Sequence, residues 1–115
     1  MAEVCDAMRP HMAFSVLLLA SLLATAARAA DRSAQGKAIL QEHCARCHAI
    51  ESVGSSPLAS APPMRYIYGR YATRELQEEL SEGMVSKHKA MPQMSFSDED
   101  VASILAYLYD LSRGK

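Results

Sequence analysis

The sequence predicts a small all-α protein with three or more helices, and three observations support that class. Between Val101 and Leu111 the apolar residues recur at positions i, i+3, i+4 and i+7, which is the spacing of one helix face. The charged segment TRELQEELSEG places Leu76 and Leu80 four residues apart among glutamates, as in a helix on a protein surface. No segment alternates apolar and polar residues at a period of two, so no β-strand is predicted.

The first element along the chain is an apolar segment typical of a secretory leader. Residues 13–27 carry no charge, Arg9 precedes them, and Ala-Arg-Ala at 27–29 matches the small-x-small pattern of a cleavage site. The run is shorter than the roughly 18 residues expected of a membrane span. We therefore predict a signal peptide at residues 1–29 and export to the periplasm. The alternative is an uncleaved N-terminal anchor, which would leave the rest of the chain in the same compartment.

The predicted mature region, residues 30–115, opens with a helix from Ala34 to His43 that Ser33 caps. Gly36 lowers the helix propensity of the first turn, which indicates either the close approach of another helix or a frayed helix start. The Ser/Gly/Pro-rich residues 52–64 then predict an irregular loop.

Two more helices and a second loop are predicted in the remainder. Thr73 is the expected N-cap of a helix that Gly83 ends. Residues 86–94 predict a loop that contains a Met-Pro pair. Ser97, followed by three acidic residues, is the expected N-cap of the last helix.

The length and the net charge of the chain limit the functions it can have. The chain of 115 residues is long enough for one domain and carries 12 Lys+Arg against 13 Asp+Glu, a net charge of −1. That balance lacks the basic surplus of a nucleic-acid-binding protein, so no nucleic-acid partner is expected. Half of the residues are apolar, which argues against a disordered chain.

The motif that carries chemistry is Cys-Ala-Arg-Cys-His at residues 44–48, a C-x-x-C-H sequence. Two thiols at this spacing add across the two vinyl groups of haem, and the histidine that follows supplies the proximal nitrogen to the iron. We therefore predict one haem c, covalently attached through Cys44 and Cys47, with His48 as an iron ligand.

Three other interpretations of the two cysteines are weaker. A thioredoxin-like dithiol would follow a strand of a βαβ unit, and no strand is predicted. A zinc site would need two more ligands at finger-like spacing, and using His43 and His48 would crowd four ligands into six residues. A disulfide between Cys44 and Cys47 would close a very short, strained loop. Because small domains bury little apolar surface, we also expect the haem-free chain to be largely unfolded.

Nearly the whole of the predicted mature region, residues 30–115, resembles a small class I c-type cytochrome, a monohaem electron-transfer protein. The resemblance depends on Gly36 in the first helix, the C-x-x-C-H motif at its end, Met91-Pro92 in a late loop, and the C-terminal helix. It implies a cytochrome c-like fold wrapped around the haem, in which the first and last helices cross at Gly36 and Tyr107. It also implies Met91 as the distal iron ligand.

The residues themselves leave alternatives for this sixth ligand. Iron needs either a strong sixth ligand for electron transfer or an open face for ligand binding. The proline after Met91 stiffens the loop and removes a backbone donor, which suits a segment that crosses the haem face. Met94 and His88 are the alternatives, and Met64 and Met84 are more remote ones.

Residues 65–71 interleave three tyrosines with two arginines. Arg65, Arg70 and a tyrosine hydroxyl are candidates to neutralise or hydrogen-bond the anionic haem propionates. The alternative is that this segment only packs its rings against the haem edge.

The leading functional hypothesis is one-electron transfer between redox proteins in the periplasm, not catalysis. The expected partners are an electron donor and an electron acceptor, such as a dehydrogenase, a reductase or an oxidase, and Lys87 and Lys89 are candidates for docking an acidic partner. Membrane contact is expected only if the leader remains uncleaved. The alternatives are a haem enzyme or gas sensor with an open or displaceable sixth ligand, and an electron-transfer subunit of a larger oxidoreductase complex.

Overall fold

The computed structural model describes residues 9–83 and 91–114, which form four α-helices and one short 3-10 turn. The helices are α1 (Arg9–His43), α2 (Ile67–Arg70), α3 (Thr73–Glu82) and α4 (Asp98–Ser112), and the 3-10 turn at Met64–Tyr66 directly precedes α2. These ranges contain no β-strand, and the predicted all-α class is confirmed. None of the helices in the described part of the chain has the length and apolarity that crossing a membrane requires.

The chain divides by internal contacts into two units, Met1–Ala30 and Asp31–Lys115. In the described part of the first unit the backbone is helical from Arg9 onward. The second unit contains the hydrophobic core and every residue of the predicted haem site. Cleavage of residues 1–29 stays a prediction.

The predicted start of the first helix, at Ala34 with Ser33 as its N-cap, is wrong. Helix α1 begins at Arg9 and continues through Ser33 without interruption. The physical reason is that no glycine or proline stands between Pro10 and Gly36, and that residues 24–30 are mostly alanine, the strongest helix former.

Gly36 lies where the backbones of α1 and α4 meet. A Cβ atom built on Gly36 would overlap the carbonyl oxygen of Ser103 and lie 2.5 Å from its carbonyl carbon. Of the two explanations for this glycine, the close approach of another helix is therefore confirmed. The contact on α4 is the Ser103–Ile104 backbone, and Tyr107, one turn further along, packs beneath the Lys37 ammonium at 6.0 Å.

The core joins α1, the loop that follows it, α3 and α4. Its buried members are Leu40, Ile50, Met64, Leu76, Leu80, Val101, Ile104, Tyr107, Leu108 and Leu111. The predicted apolar face of α4 is buried as expected, apart from Leu105, which is only partly buried. Both leucines predicted for α3 are buried as well.

The ends of α3 and α4 agree only in part with those predicted from the sequence. Ser97 caps α4 as predicted, because its Oγ accepts a hydrogen bond from the Asp100 backbone N–H at 3.2 Å. Gly83 ends α3 with a φ of +99°, which favours glycine. Thr73 is not the N-cap of α3: Ala72 has the extended backbone of that position, and Thr73 is already helical.

Candidate haem-binding site

A cavity of about 660 Å³ lies within the second unit, and its lining includes all four predicted site residues: Cys44, Cys47, His48 and Met91. Helices α3 and α4 contribute apolar lining residues, which are Leu76, Leu80, Ile104 and Leu108. A mostly apolar cavity of a few hundred Å³ with a few convergent polar groups is typical of a cofactor site.

The C-x-x-C-H motif enters this cavity because the chain turns once more after α1 ends at His43. The Cys44 N–H donates to the Leu40 carbonyl at 2.8 Å, and the Cys47 and His48 N–H groups donate to the Cys44 carbonyl at 3.1 and 2.9 Å. These local hydrogen bonds bring both thiols and the imidazole to one cavity. Within residues 9–83 and 91–114 neither cysteine forms a disulfide, and both are partly buried.

Burial, with a smaller contribution from Cys47, raises the pKa of the Cys44 thiol to about 11. The thiol is therefore protonated near neutral pH. A reactive dithiol of the thioredoxin type instead needs a lowered pKa to form a thiolate. The environment of Cys44 thus disfavours that alternative and leaves an S–H bond of the kind that adds across a vinyl group.

His48 is oriented by a hydrogen bond to the loop that follows it. Its Nδ1 lies 2.7 Å from the carbonyl oxygen of Pro62. A carbonyl only accepts, so Nδ1 carries the proton and donates it. The lone pair of the second nitrogen, Nε2, is then available to a metal, and the orientation of the ring is held.

Residues 91–96, the methionine segment, contribute Met91, Pro92, Met94 and Phe96 to the lining of the cavity. The Phe96 N–H donates to the Leu80 carbonyl at 3.0 Å, and the Phe96 ring meets the His43 ring edge-on at 5.5 Å. These contacts attach the segment both to α3 and to the end of α1. His43, expected only as a helix-end residue, thus lines the cavity as well.

Met91 and Met94 both line the cavity and both are partly buried. The choice between them as distal ligand therefore stays a prediction. Met64 also lines the cavity, as a buried core residue. The other candidates, His88 and Met84, lie outside the described residues, as do the docking candidates Lys87 and Lys89.

Arg65, one of the two arginines expected near the haem propionates, is not among the residues that line the cavity. Its Nη1 is buried and, among the described residues, has no hydrogen-bond partner, while its guanidinium lies 4.8 Å from the centre of the Tyr66 ring. A buried guanidinium nitrogen without a partner needs an anion, and a haem propionate is one. Arg70 and Tyr71 line the cavity but are exposed, and Tyr68 instead packs edge-on against Tyr109.

The residues that line the cavity fit a covalently attached haem, because they supply two thiols, one oriented imidazole and three methionines, Met64, Met91 and Met94. Sequence reasoning missed Pro62, the acceptor for His48, because the partner of a ring nitrogen 14 positions away leaves no local pattern. It also missed Phe96, whose role depends on contacts with α1 and α3.

A comparison with known families agrees with this geometry. The family model described as Cytochrome c matches residues 33–112, which include the C-x-x-C-H motif, Met91 and the whole of α3 and α4. No curated protein and no solved structure matches the chain significantly. Cytochrome c proteins bind covalent haem and typically transfer electrons between redox proteins. Because the match covers more than half of its length, the chain belongs to the cytochrome c family.

Proposed function

We propose that this protein is a monohaem electron carrier, in which Cys44 and Cys47 attach the haem and His48 and Met91 bind its iron. The observation that carries the proposal is that these four side chains line one cavity. Covalently bound haem supplies a one-electron ferric/ferrous couple there. The protein then performs no bond chemistry on a substrate and instead presents its haem edge to a donor and an acceptor.

His48 is proposed as the proximal ligand through Nε2. Support comes from the Pro62 carbonyl, which accepts from Nδ1 at 2.7 Å and thereby fixes the tautomer that leaves Nε2 free. Because this bond also increases the electron density of the ring, His48 is a stronger donor to iron than an unbonded imidazole would be.

Met91 is proposed as the distal ligand. It lines the cavity, and Pro92 fixes the backbone directly after it, which limits the positions its sulfur can reach. A thioether ligand favours ferrous iron, so we expect a reduction potential on the high side of the cytochrome range. Arg65, whose buried Nη1 has no hydrogen-bond partner among the described residues, and Arg70, which lines the cavity, are proposed to bind the haem propionates.

Export to the periplasm, with residues 1–29 removed, is the remaining part of the proposal. It rests on the uncharged residues 13–27 and the Ala-Arg-Ala pattern at 27–29, whose three residues are exposed. The intact mass of the purified protein measures this directly. A chain that starts near Ala30 and carries one haem is expected, and a haem-bearing chain that retains the leader would indicate an N-terminal anchor.

The first experiment is the optical spectrum of the exported protein, ferric and reduced. Low-spin haem with the weak far-red band of ferric methionine–sulfur ligation is expected. Met91→Leu should abolish that band, and Met94→Leu is the matched control that should retain it. The reverse pattern would assign the distal ligand to Met94. A high-spin wild-type spectrum without the band would contradict the carrier and favour the haem enzyme or gas sensor with an open sixth site.

A further inference from the structure

The two residues that follow His48, Ala49 and Ile50, are held by three hydrogen bonds. The Ala49 N–H donates to Ser56 Oγ at 3.0 Å, and the Ala49 carbonyl accepts from the Met64 N–H at 2.9 Å. The Ile50 carbonyl accepts from the Tyr107 hydroxyl at 2.8 Å. We call this arrangement of five residues the proximal clamp.

The proximal clamp connects the two chain segments that form the His48–Pro62 hydrogen bond. His48 directly precedes Ala49, and Pro62 stands two residues before Met64. The bond from the Met64 N–H to the Ala49 carbonyl therefore ties the segment carrying the donor to the segment carrying the acceptor. The intervening residues form no helix or strand, so the position of the Pro62 carbonyl depends on such individual bonds.

Tyr107 is the point at which the clamp is anchored to the helical core. Its side chain is buried on α4, only 7 % exposed, and Ile50 is 5 % exposed. The neighbouring Lys37–Glu51 ion pair, 2.8 Å long, also reaches this loop, but both side chains are about half exposed. Water screens such a surface pair and leaves it weak. Of these two contacts, the buried hydroxyl is the one better able to hold the loop at Ile50.

We propose that Tyr107 is a positioning residue for the proximal iron ligand. By holding the Ile50 carbonyl, its hydroxyl sets the geometry of the clamp and with it the hydrogen bond from His48 Nδ1 to Pro62. A weaker bond at Nδ1 lowers the electron density of the imidazole, which favours ferrous iron and raises the reduction potential. The inference rests on His48 ligation in the proposed function.

The test compares Tyr107→Phe with Tyr109→Phe in the haem-loaded protein. Tyr109 is the matched control, because it lies on the same helix and its hydroxyl accepts a hydrogen bond from Arg113 instead of contacting the loop. The reduction potential and the NMR resonance of the His48 Nδ1 proton are measured. Tyr107→Phe is expected to raise the potential, shift that resonance upfield and speed its solvent exchange, whereas Tyr109→Phe matches the wild type.

A lower melting temperature of Tyr107→Phe with a wild-type potential and Nδ1 resonance would overturn the inference, since Tyr107 would then contribute to packing alone. If Tyr107→Phe yields no folded protein, Ser56→Ala decides, because it removes another bond of the clamp. A raised potential supports the inference, and an unchanged one refutes it. A wild-type spectrum without histidine ligation would instead overturn the proposed function, and the inference with it.

Discussion

Replacing Gly36 by alanine probes the contact between α1 and α4 directly. The added methyl group would overlap the Ser103 carbonyl oxygen and lie 3.0 Å from the Ile104 backbone nitrogen. Both obstacles belong to a helix backbone, so no side-chain rotation relieves them and the helices must separate. Because Ile104 is a buried core residue that also lines the cavity, the separation reaches the haem site.

The expected change in unfolding free energy for Gly36→Ala follows from two opposing effects. Overpacking of a well-packed interior costs about 1–3 kcal/mol, and a clash between rigid backbones belongs at the upper end of that range. Alanine recovers about 1 kcal/mol of helix propensity relative to glycine. The net loss of unfolding free energy at Gly36 is therefore about 2 kcal/mol. For a domain of this size that corresponds to a fall in melting temperature of about 8–16 °C.

The assay is thermal unfolding of the haem-loaded protein, followed by far-ultraviolet circular dichroism. Gly69→Ala is the matched control, because Gly69 lies in helix α2 and an added Cβ there meets no atom within 4 Å. This control is expected to keep or slightly raise the melting temperature. If Gly36→Ala melts at the temperature of Gly69→Ala, the proposed backbone contact is refuted.

Three further predictions concern the cap of α4, a buried tyrosine and the haem-free chain. Ser97→Ala removes the N-cap of α4 and should cost about 1 kcal/mol of unfolding free energy in denaturant titration, whereas Ser112→Ala, at the other end of the helix, should cost less. Burial raises the pKa of Tyr107, so its stabilising contribution is complete below the unfolded-state pKa of about 10 and is lost as the pH rises through the folded-state value. Above about pH 10, the melting temperature of the wild type should thus fall more steeply with pH than that of Tyr107→Phe. An equal dependence of the two melting temperatures on pH would contradict this. The double variant Cys44→Ser, Cys47→Ser, expressed without haem, should be largely unfolded by circular dichroism, and a cooperative melting transition would refute that expectation.

Local patterns in the sequence predicted the elements whose signals are short in range. Helix α4 is one case, because a capping serine, three acidic residues and a regular apolar spacing all lie within fifteen positions. The end of α3 is another, since Gly83 alone supplies the positive φ that the chain needs there. The start of α1 was mispredicted because serine is a favoured N-cap residue, which suggested that a helix begins after Ser33. The helix propensity of the alanines before Ser33 outweighed that capping preference, so the helix continues through it.

The short helix α2 and the 3-10 turn before it were not predicted. Four of their seven residues, MRYIYGR, have low helix propensity: two tyrosines, an isoleucine and a glycine. Met64 is buried in the core, and Ile67 and Tyr68 pack against it. Burial against the core, and not local helix propensity, therefore stabilises this segment. That stabilisation cannot be predicted from the seven residues alone.

By itself, the sequence determined the all-α class and the candidate haem-binding motif, because helix periodicity and a C-x-x-C-H motif are local properties of the chain. Only the tertiary structure decided which backbone meets Gly36, which carbonyl orients His48 and which hydroxyl holds Ile50. His48 and Pro62 are 14 positions apart, Ile50 and Tyr107 are 57 apart, and Gly36 and Ser103 are 67 apart. A contact over such a distance depends on how the core packs, and the core forms only once the helices have been brought together.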